Sequence, residues 1–169
     1  MDTPNPLLLT LNINAEAQQY FDTLRQKHFP PERNFLDAHL MLFHQLPPNN
    51  ESVITDIENI IAKHQTISIQ VTALVGIGRG VAFKLESTQL AALHRELQTT
   101  WKTFLIPQDT QRLWPHITIQ NKVTPEEAKV LLEELSQEFK PFEITGTGLS
   151  LWEYQGGPWQ FLRSYDWKS

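Results

Sequence analysis

Ala38-His39-Leu40-Met41-Leu42-Phe43 and Pro115-His116-Ile117-Thr118-Ile119-Gln120 are two short segments built on one plan. In each, a histidine opens a run with the two-residue period of a β-strand. Strand alternation puts His39, Met41 and Phe43 on one face, with Leu40 and Leu42 on the other. In the second segment His116, Thr118 and Gln120 share a face opposite Ile117 and Ile119. An aliphatic strand face is the one that packs under helices, so both histidines are expected to point away from them, toward whatever lies between the two strands. By the same parity His44 is expected opposite His39, packed near the interior or the strand end.

Reading outward, the order of elements repeats. Leu7–Ile13 reads as a strand, and a helix follows with Asn14 as its N-cap and Ala17, Phe21, Leu24 and His28 at helical spacing. Pro30-Pro31 ends it. The first histidine strand, Ala38–Leu46, is closed by Pro47-Pro48, and a helix starts at Asn50. Ile67–Val75 alternates as a half-buried strand, and Gly76–Gly80 turns it into Val81–Glu86. The second half has a helix opening near Ser87, the histidine strand within Trp114–Val123, and a helix announced by Thr124-Pro125-Glu126-Glu127. Two or three strands follow Pro141, with Tyr154–Pro158 as the turn of a final hairpin. This order predicts an α+β protein of two similar lobes, each a sheet with helices on its outer face.

The chain has 169 residues, 40% hydrophobic and 20% charged, the profile of a globular protein that needs no metal or disulfide to fold. A formal charge of −5 argues against coating long nucleic acid or double-stranded DNA by charge alone. There is no cysteine, hence no thiolate nucleophile and no thiolate metal site. No basic residue precedes the apolar run from Leu7, and no stretch approaches the ~20 apolar residues of a membrane helix, so a cytoplasmic protein without signal peptide or membrane contact is expected.

Two imidazoles on one cleft suit phosphate-ester chemistry. One takes a proton from the attacking oxygen and the other gives one to the leaving oxygen, which histidine does near neutral pH. A hydroxyl two residues on, as in Thr118, can donate to a phosphoryl oxygen. His28, His64 and His94 read as structural, near helix ends or beside an apolar stripe. Gly76-Ile77-Gly78-Arg79-Gly80 is a hairpin turn and no dinucleotide fingerprint, since a strand follows it. Arg79 within it is a candidate phosphate contact. Trp152, Tyr154 and Trp159 are read as core of the terminal hairpin, with base stacking the weaker alternative. No Asp/Glu cluster joins the histidines, so no metal site is expected.

The twofold His-x-Thr-x pattern resembles that of the two-histidine (2H) phosphoesterase superfamily, its bacterial 2′-5′ RNA ligase-like members most closely. The likeness extends to Ala38–Pro47, Gly78–Phe83, Leu113–Lys122 and Leu151–Trp159, most of the chain. It implies one bilobal domain over 1–169, pseudo-symmetric sheet lobes around a central cleft, and no metal or other cofactor. It also implies a small nucleotide or RNA end as substrate, held by a monomer, with a 2′,3′-cyclic phosphate or a 2′-5′ linkage as the reacting group. The first-motif histidine, here His39, would be proton donor and His116 proton acceptor. One position departs. Met41 stands where the pattern has a hydroxyl, and a thioether donates no hydrogen bond. The alternative reading is therefore a nucleotide- or RNA-end-binding protein of the same fold with weak or absent turnover.

Overall fold

The computed structural model of the chain describes residues 4–48 and 50–168. In chain order it contains β1 (Leu7–Ile13), α1 (Ala15–His28), β2 (Leu40–Leu46), α2 (Glu51–Lys63), β3 (Ile67–Gly76) and β4 (Val81–Glu86). There follow α3 (Thr88–Thr100), β5 (His116–Gln120), α4 (Pro125–Ser136), β6 (Phe142–Tyr154) and β7 (Trp159–Asp166). The helix starts obey the expected chemistry. The side chain of Asn50 accepts from the amides of Ser52 and Val53, that of Ser87 from Leu90, and that of Thr124 from Glu127. Asn14 differs: its side chain accepts from the Thr145 amide on β6, tying the start of α1 to the sheet. The second histidine strand is shorter than expected. Pro115 has no amide to give a ladder, and Lys122 takes a left-handed φ of 63° that turns the chain away.

The seven strands form one antiparallel sheet in the order β2-β1-β6-β3-β4-β5, with β7 also on β6. β6 is the hinge of this arrangement. Along one edge it pairs first with β3, through Phe142–Gly146, and then with β7, from Gly148 onward. Along its other edge it pairs with β1. The lobes are therefore β2-β1-β6-β7 and β6-β3-β4-β5, sharing one strand. The sheet curls, so that β2 and β5, the two ends of the strand order, approach one another. The apolar face carries Leu9, Leu11, Leu40, Ile69, Phe83, Ile117 and Leu149, all buried beneath the helices. Among the described residues no helix is long and apolar enough to cross a membrane.

The helices are exchanged between the repeats. α1, which connects β1 to β2, packs along β5, and the buried Arg25 donates through Nη1 to the Thr118 carbonyl at 3.0 Å. In the other direction α3, which connects β4 to β5 and packs on β3 and α2, reaches β2 through one side chain. The buried His94 bonds through Nε2 to the Leu42 carbonyl at 3.0 Å and stacks on Phe43 at 4.6 Å. Each histidine strand thus has a buried polar side chain from the other repeat bonded to one of its carbonyls. A donor given to a strand carbonyl holds the strand without adding a new edge.

At the start of β4 the backbone of Gly80 lies against that of Gln120, and a Cβ there would overlap the Gln120 carbonyl. Backbone cannot yield as a flexible side chain does. Gly80→Ala is expected to cost roughly 3 kcal/mol or more and to loosen β5 first. Denaturant unfolding, with amide exchange at Ile117 and Ile119, measures this. A variant as stable and as protected as the wild type would show that the close approach is dispensable.

Candidate active site

His39 and His116 occupy equivalent places, immediately before β2 and at the start of β5. Each ring is anchored in the same way: Nδ1 lies 2.9 Å from the Asp37 carbonyl in His39 and 2.8 Å from the Trp114 carbonyl in His116. A carbonyl can only accept, so Nδ1 carries the hydrogen in both, and Nε2 is left as the working nitrogen. Each imidazole also lies against an indole. Trp114 stacks on His116 at 4.2 Å, and Trp159, from the final hairpin, lies 4.7 Å from His39. A cavity of about 230 Å³ opens beside His39, walled by Thr10, Asn12, Gln18, Leu36, Trp152 and Trp159 among others.

The strand-parity expectation fails beyond Met41, for a specific reason. Between Met41 and Phe43 the pairing with β1 slips by one residue, a β-bulge at Leu42. Phe43 is thereby turned into the core, fully buried, and does not share a face with His39. A second slip follows between Phe43 and Leu46. His44 is exposed and does not pack in the interior, one of the two places expected for it. β5 carries the same bulge at the same place: Thr118 pairs with Ala82 and Gln120 with Val81, leaving Ile119 extra. Gln120, the counterpart of Phe43, is likewise buried.

His44 is held by Asp109 from the turn at Pro107–Thr110. Its Nδ1 lies 2.8 Å from Asp109 Oδ1, and the amides of His44 and Gln45 donate to the same carboxylate. Burial alone would raise the Asp109 carboxyl. The hydrogen bonds from the His44 ring and the two amides outweigh it and hold the group below its ordinary value. The side chain of Asp109 is 1% exposed and that of His44 42%, so a buried anion orients an open imidazole.

The three histidines are near enough to feel one another. His39 is drawn down to about 4, mainly by burial, with the charges of Arg25, His116 and His44 acting in the same direction against its bond to the Asp37 carbonyl. His116 is also lowered, mainly by burial and further by His44, against its bond to the Trp114 carbonyl. In both rings burial disfavours the charged form, and the neutral tautomer fixed by the Nδ1 bond carries its lone pair on Nε2.

Met41 and Thr118 sit two residues beyond their histidines at matching positions, each half-buried. Arg79 lies elsewhere. Its Nε donates to the Val123 carbonyl at 2.9 Å, beyond the end of β5 opposite to His116. His64 pairs with Glu96, and His94 is the buried strand clamp described above, both structural as expected. Trp159, expected in the hairpin core, lies on His39 instead. His44, Trp114 and Asp109 are not legible as site residues in the sequence, and Trp159 is legible only through the weaker, base-stacking alternative. A proline-flanked indole two residues before His116 is the one sequence signal available. Among the described residues no group of three His, Cys, Asp or Glu is placed to hold a metal ion.

Comparison with known proteins agrees with this architecture. The crystal structure of TT0787 of Thermus thermophilus superposes with a TM-score of 0.64 at 15% identity, over 97% of this chain and 98% of that one. E. coli LigT superposes with a TM-score of 0.59 in its complex with NADP+ and 0.54 in its complex with 3′-AMP, at 17% identity over 99% of this chain and 100% of LigT in each case. These identities establish a shared fold. No curated protein matches the sequence. The sequence pattern of the 2′-5′ RNA ligase superfamily matches residues 13–158, most of the chain. On that match, with a curled sheet and two histidine strands meeting at its ends, the chain belongs to the 2′-5′ RNA ligase superfamily of 2H phosphoesterases.

Proposed function

We propose that the protein is a metal-independent phosphoesterase that opens a 2′,3′-cyclic phosphate, or cleaves a 2′-5′ phosphodiester, on a small nucleotide or an RNA end. The observation that carries this reading is the matched pair of imidazoles, His39 and His116, each with Nδ1–H committed to a backbone carbonyl and Nε2 without a partner among the described residues. For a cyclic phosphate, His116 takes a proton from water through Nε2 as the water oxygen bonds to phosphorus. The bond from phosphorus to one ribose oxygen breaks, and His39, protonated, delivers its Nε2 proton to that oxygen. One proton enters the pair and one leaves it, and the product is a phosphate monoester. The Thr118 hydroxyl donates to a phosphoryl oxygen as charge builds there. An anionic phosphate beside His39 opposes the effect of burial and favours the protonated ring that the step needs. The LigT complexes with 3′-AMP, ATP and NADP+ support a phosphorylated nucleotide as ligand for this fold. Met41, with no hydrogen to donate, favours the second reading, a nucleotide-binding protein without turnover.

Incubation with the four 2′,3′-cyclic nucleotides and a 2′-5′ dinucleotide in EDTA tests the proposal. Turnover is expected to survive chelation, because two imidazoles supply both proton transfers. Activity lost in EDTA and restored by a divalent metal would overturn the mechanism. Binding of these compounds with no turnover would favour the second reading.

His39→Ala and His116→Ala are each expected to remove most turnover, ~10²–10⁴-fold, with the double variant little worse because acid and base act in one transition state. Retention of near-wild-type rate by either single variant would remove that residue from the mechanism.

The pH profile of kcat/KM reports the free protein. With His39 drawn to about 4 and His116 below its ordinary 6.5, the required acid is lost as pH rises. The bell is expected to peak below pH 6.5 and fall steadily on the alkaline side. A profile flat from about pH 5 to 9 would exclude the assigned pair.

A further inference from the structure

Met41 leaves the His39 side of the site without the hydroxyl that Thr118 supplies on the other side, and β1 carries a candidate for the missing group. In the second repeat, Thr118 on β5 is paired across the ladder with Ala82 on β4. In the first repeat, Met41 on β2 is paired with Thr10 on β1. Directly paired residues project from the same face of a sheet, with Cβ atoms about 5 Å apart. The hydroxyl and the apolar side chain have changed strands. Thr10 is not part of the apolar core that contains its neighbours Leu9 and Leu11. It faces the other way, into the wall of the cavity that also contains His39.

The hydrogen bonding of Thr10 determines what it can offer. Its Oγ1 lies 2.9 Å from Nε1 of Trp152. An indole nitrogen only donates, so the threonine oxygen accepts and its own hydrogen remains to be given. Among the described residues that hydrogen goes to no protein acceptor, although Thr10 is only 3% exposed. A buried hydroxyl with an uncommitted hydrogen requires an acceptor, and the cavity it faces is where a ligand would provide one. The bond from Trp152 also pins the rotor and polarises the O–H, which strengthens its donation.

We infer that Thr10 donates a hydrogen bond to a phosphoryl oxygen of the substrate on the His39 side, taking over from β1 the contact that Met41 cannot make from β2. This rests on the phosphoesterase reading above for the identity of the acceptor. It also makes the two halves of the site chemically equivalent, one hydroxyl beside each imidazole, supplied from the histidine strand in one repeat and from its neighbour in the other. Met41 then serves as an apolar wall beside the contact.

Two measurements on the full chain test this together: turnover of 2′,3′-cyclic AMP and of a 2′-5′ dinucleotide, and tryptophan-fluorescence titration with adenosine 2′-monophosphate and with adenosine. Thr10→Val is nearly isosteric. It is expected to lower kcat and to weaken adenosine 2′-monophosphate binding by about ten- to a hundredfold, while leaving adenosine binding unchanged. Thr10→Ser is expected to retain both properties. Met41→Thr should restore most of the loss in the Thr10→Val background. If Thr10 served only to hold Trp152, Thr10→Val would weaken adenosine and its phosphate alike, and Met41→Thr would restore nothing. Either result overturns the assignment. A wild type that turns over neither a cyclic nucleotide nor a 2′-5′ dinucleotide, but shows the phosphate-specific loss and its restoration, would retain Thr10 as a phosphate contact and sink the phosphoesterase reading. Turnover and binding both unaffected by Thr10→Val would sink Thr10 and leave that reading standing. A wild type that neither turns over nor binds the phosphate would sink both.

Discussion

Each of the two motif histidines gives its Nδ1 hydrogen to the carbonyl two residues upstream, and the proposed chemistry depends on that bond. It selects one tautomer, stops rotation about the ring bond and directs Nε2 outward. A carbonyl within the same short segment is a reliable partner because the chain cannot separate the two groups without unfolding the segment. The arrangement needs no buried carboxylate behind either ring. It therefore provides orientation without the strong upward push on the pKa that an Asp partner gives, and burial can favour the neutral form of both rings.

The orientation is useful only if the two segments meet, and they are the two ends of one sheet. Curling brings β2 and β5 together, and the exchanged helices keep them there. Arg25 from α1 holds the Thr118 carbonyl, while His94 from α3 holds that of Leu42. Both clamps are buried and polar, and each bonds its strand two or three residues beyond the histidine. A donor in such a place is costly to leave unpaired, so the strand position that satisfies it is strongly preferred. The matched bulges at Leu42 and Ile119 belong to the same design. Each lets the strand begin with its histidine on the open face and end with a buried residue, Phe43 or Gln120.

Those bulges also mark where the sequence ceases to be legible. Helix starts can be read because caps are local: Asn50, Ser87 and Thr124 act on amides two or three residues away. The alternation of the first half of β3, and the repeat of the histidine motif in two strands, can be read because a strand's period and a repeated motif appear in one dimension. A bulge does not. It follows from how a strand meets its neighbour, and nothing in Leu-Phe-His-Gln says that parity changes there. Parity thus sets His44 on the wrong face, and the Asp109 that orients it lies far away in sequence. Trp159 is plainly aromatic, but its position over His39 depends on how β7 meets β6. The exchange of the helices is invisible too, since the order of elements is the same whichever lobe a helix covers.

The departure at Met41 acquires a different meaning in three dimensions. A motif read along one strand treats each position as a fixed chemical role, and by that measure half of a phosphate clamp is absent. A cleft, however, is a surface, and adjacent strands contribute to it at a spacing of about 5 Å. A hydroxyl can move from β2 to β1 and still project from the same face of the sheet, provided that its new neighbours fix its direction. Trp152 does this for Thr10 by a bond that can run only one way. What selection by chemistry requires is a donor within reach of the developing charge, and the register of β1 against β2 decides whether an exchange between Thr10 and Met41 meets it.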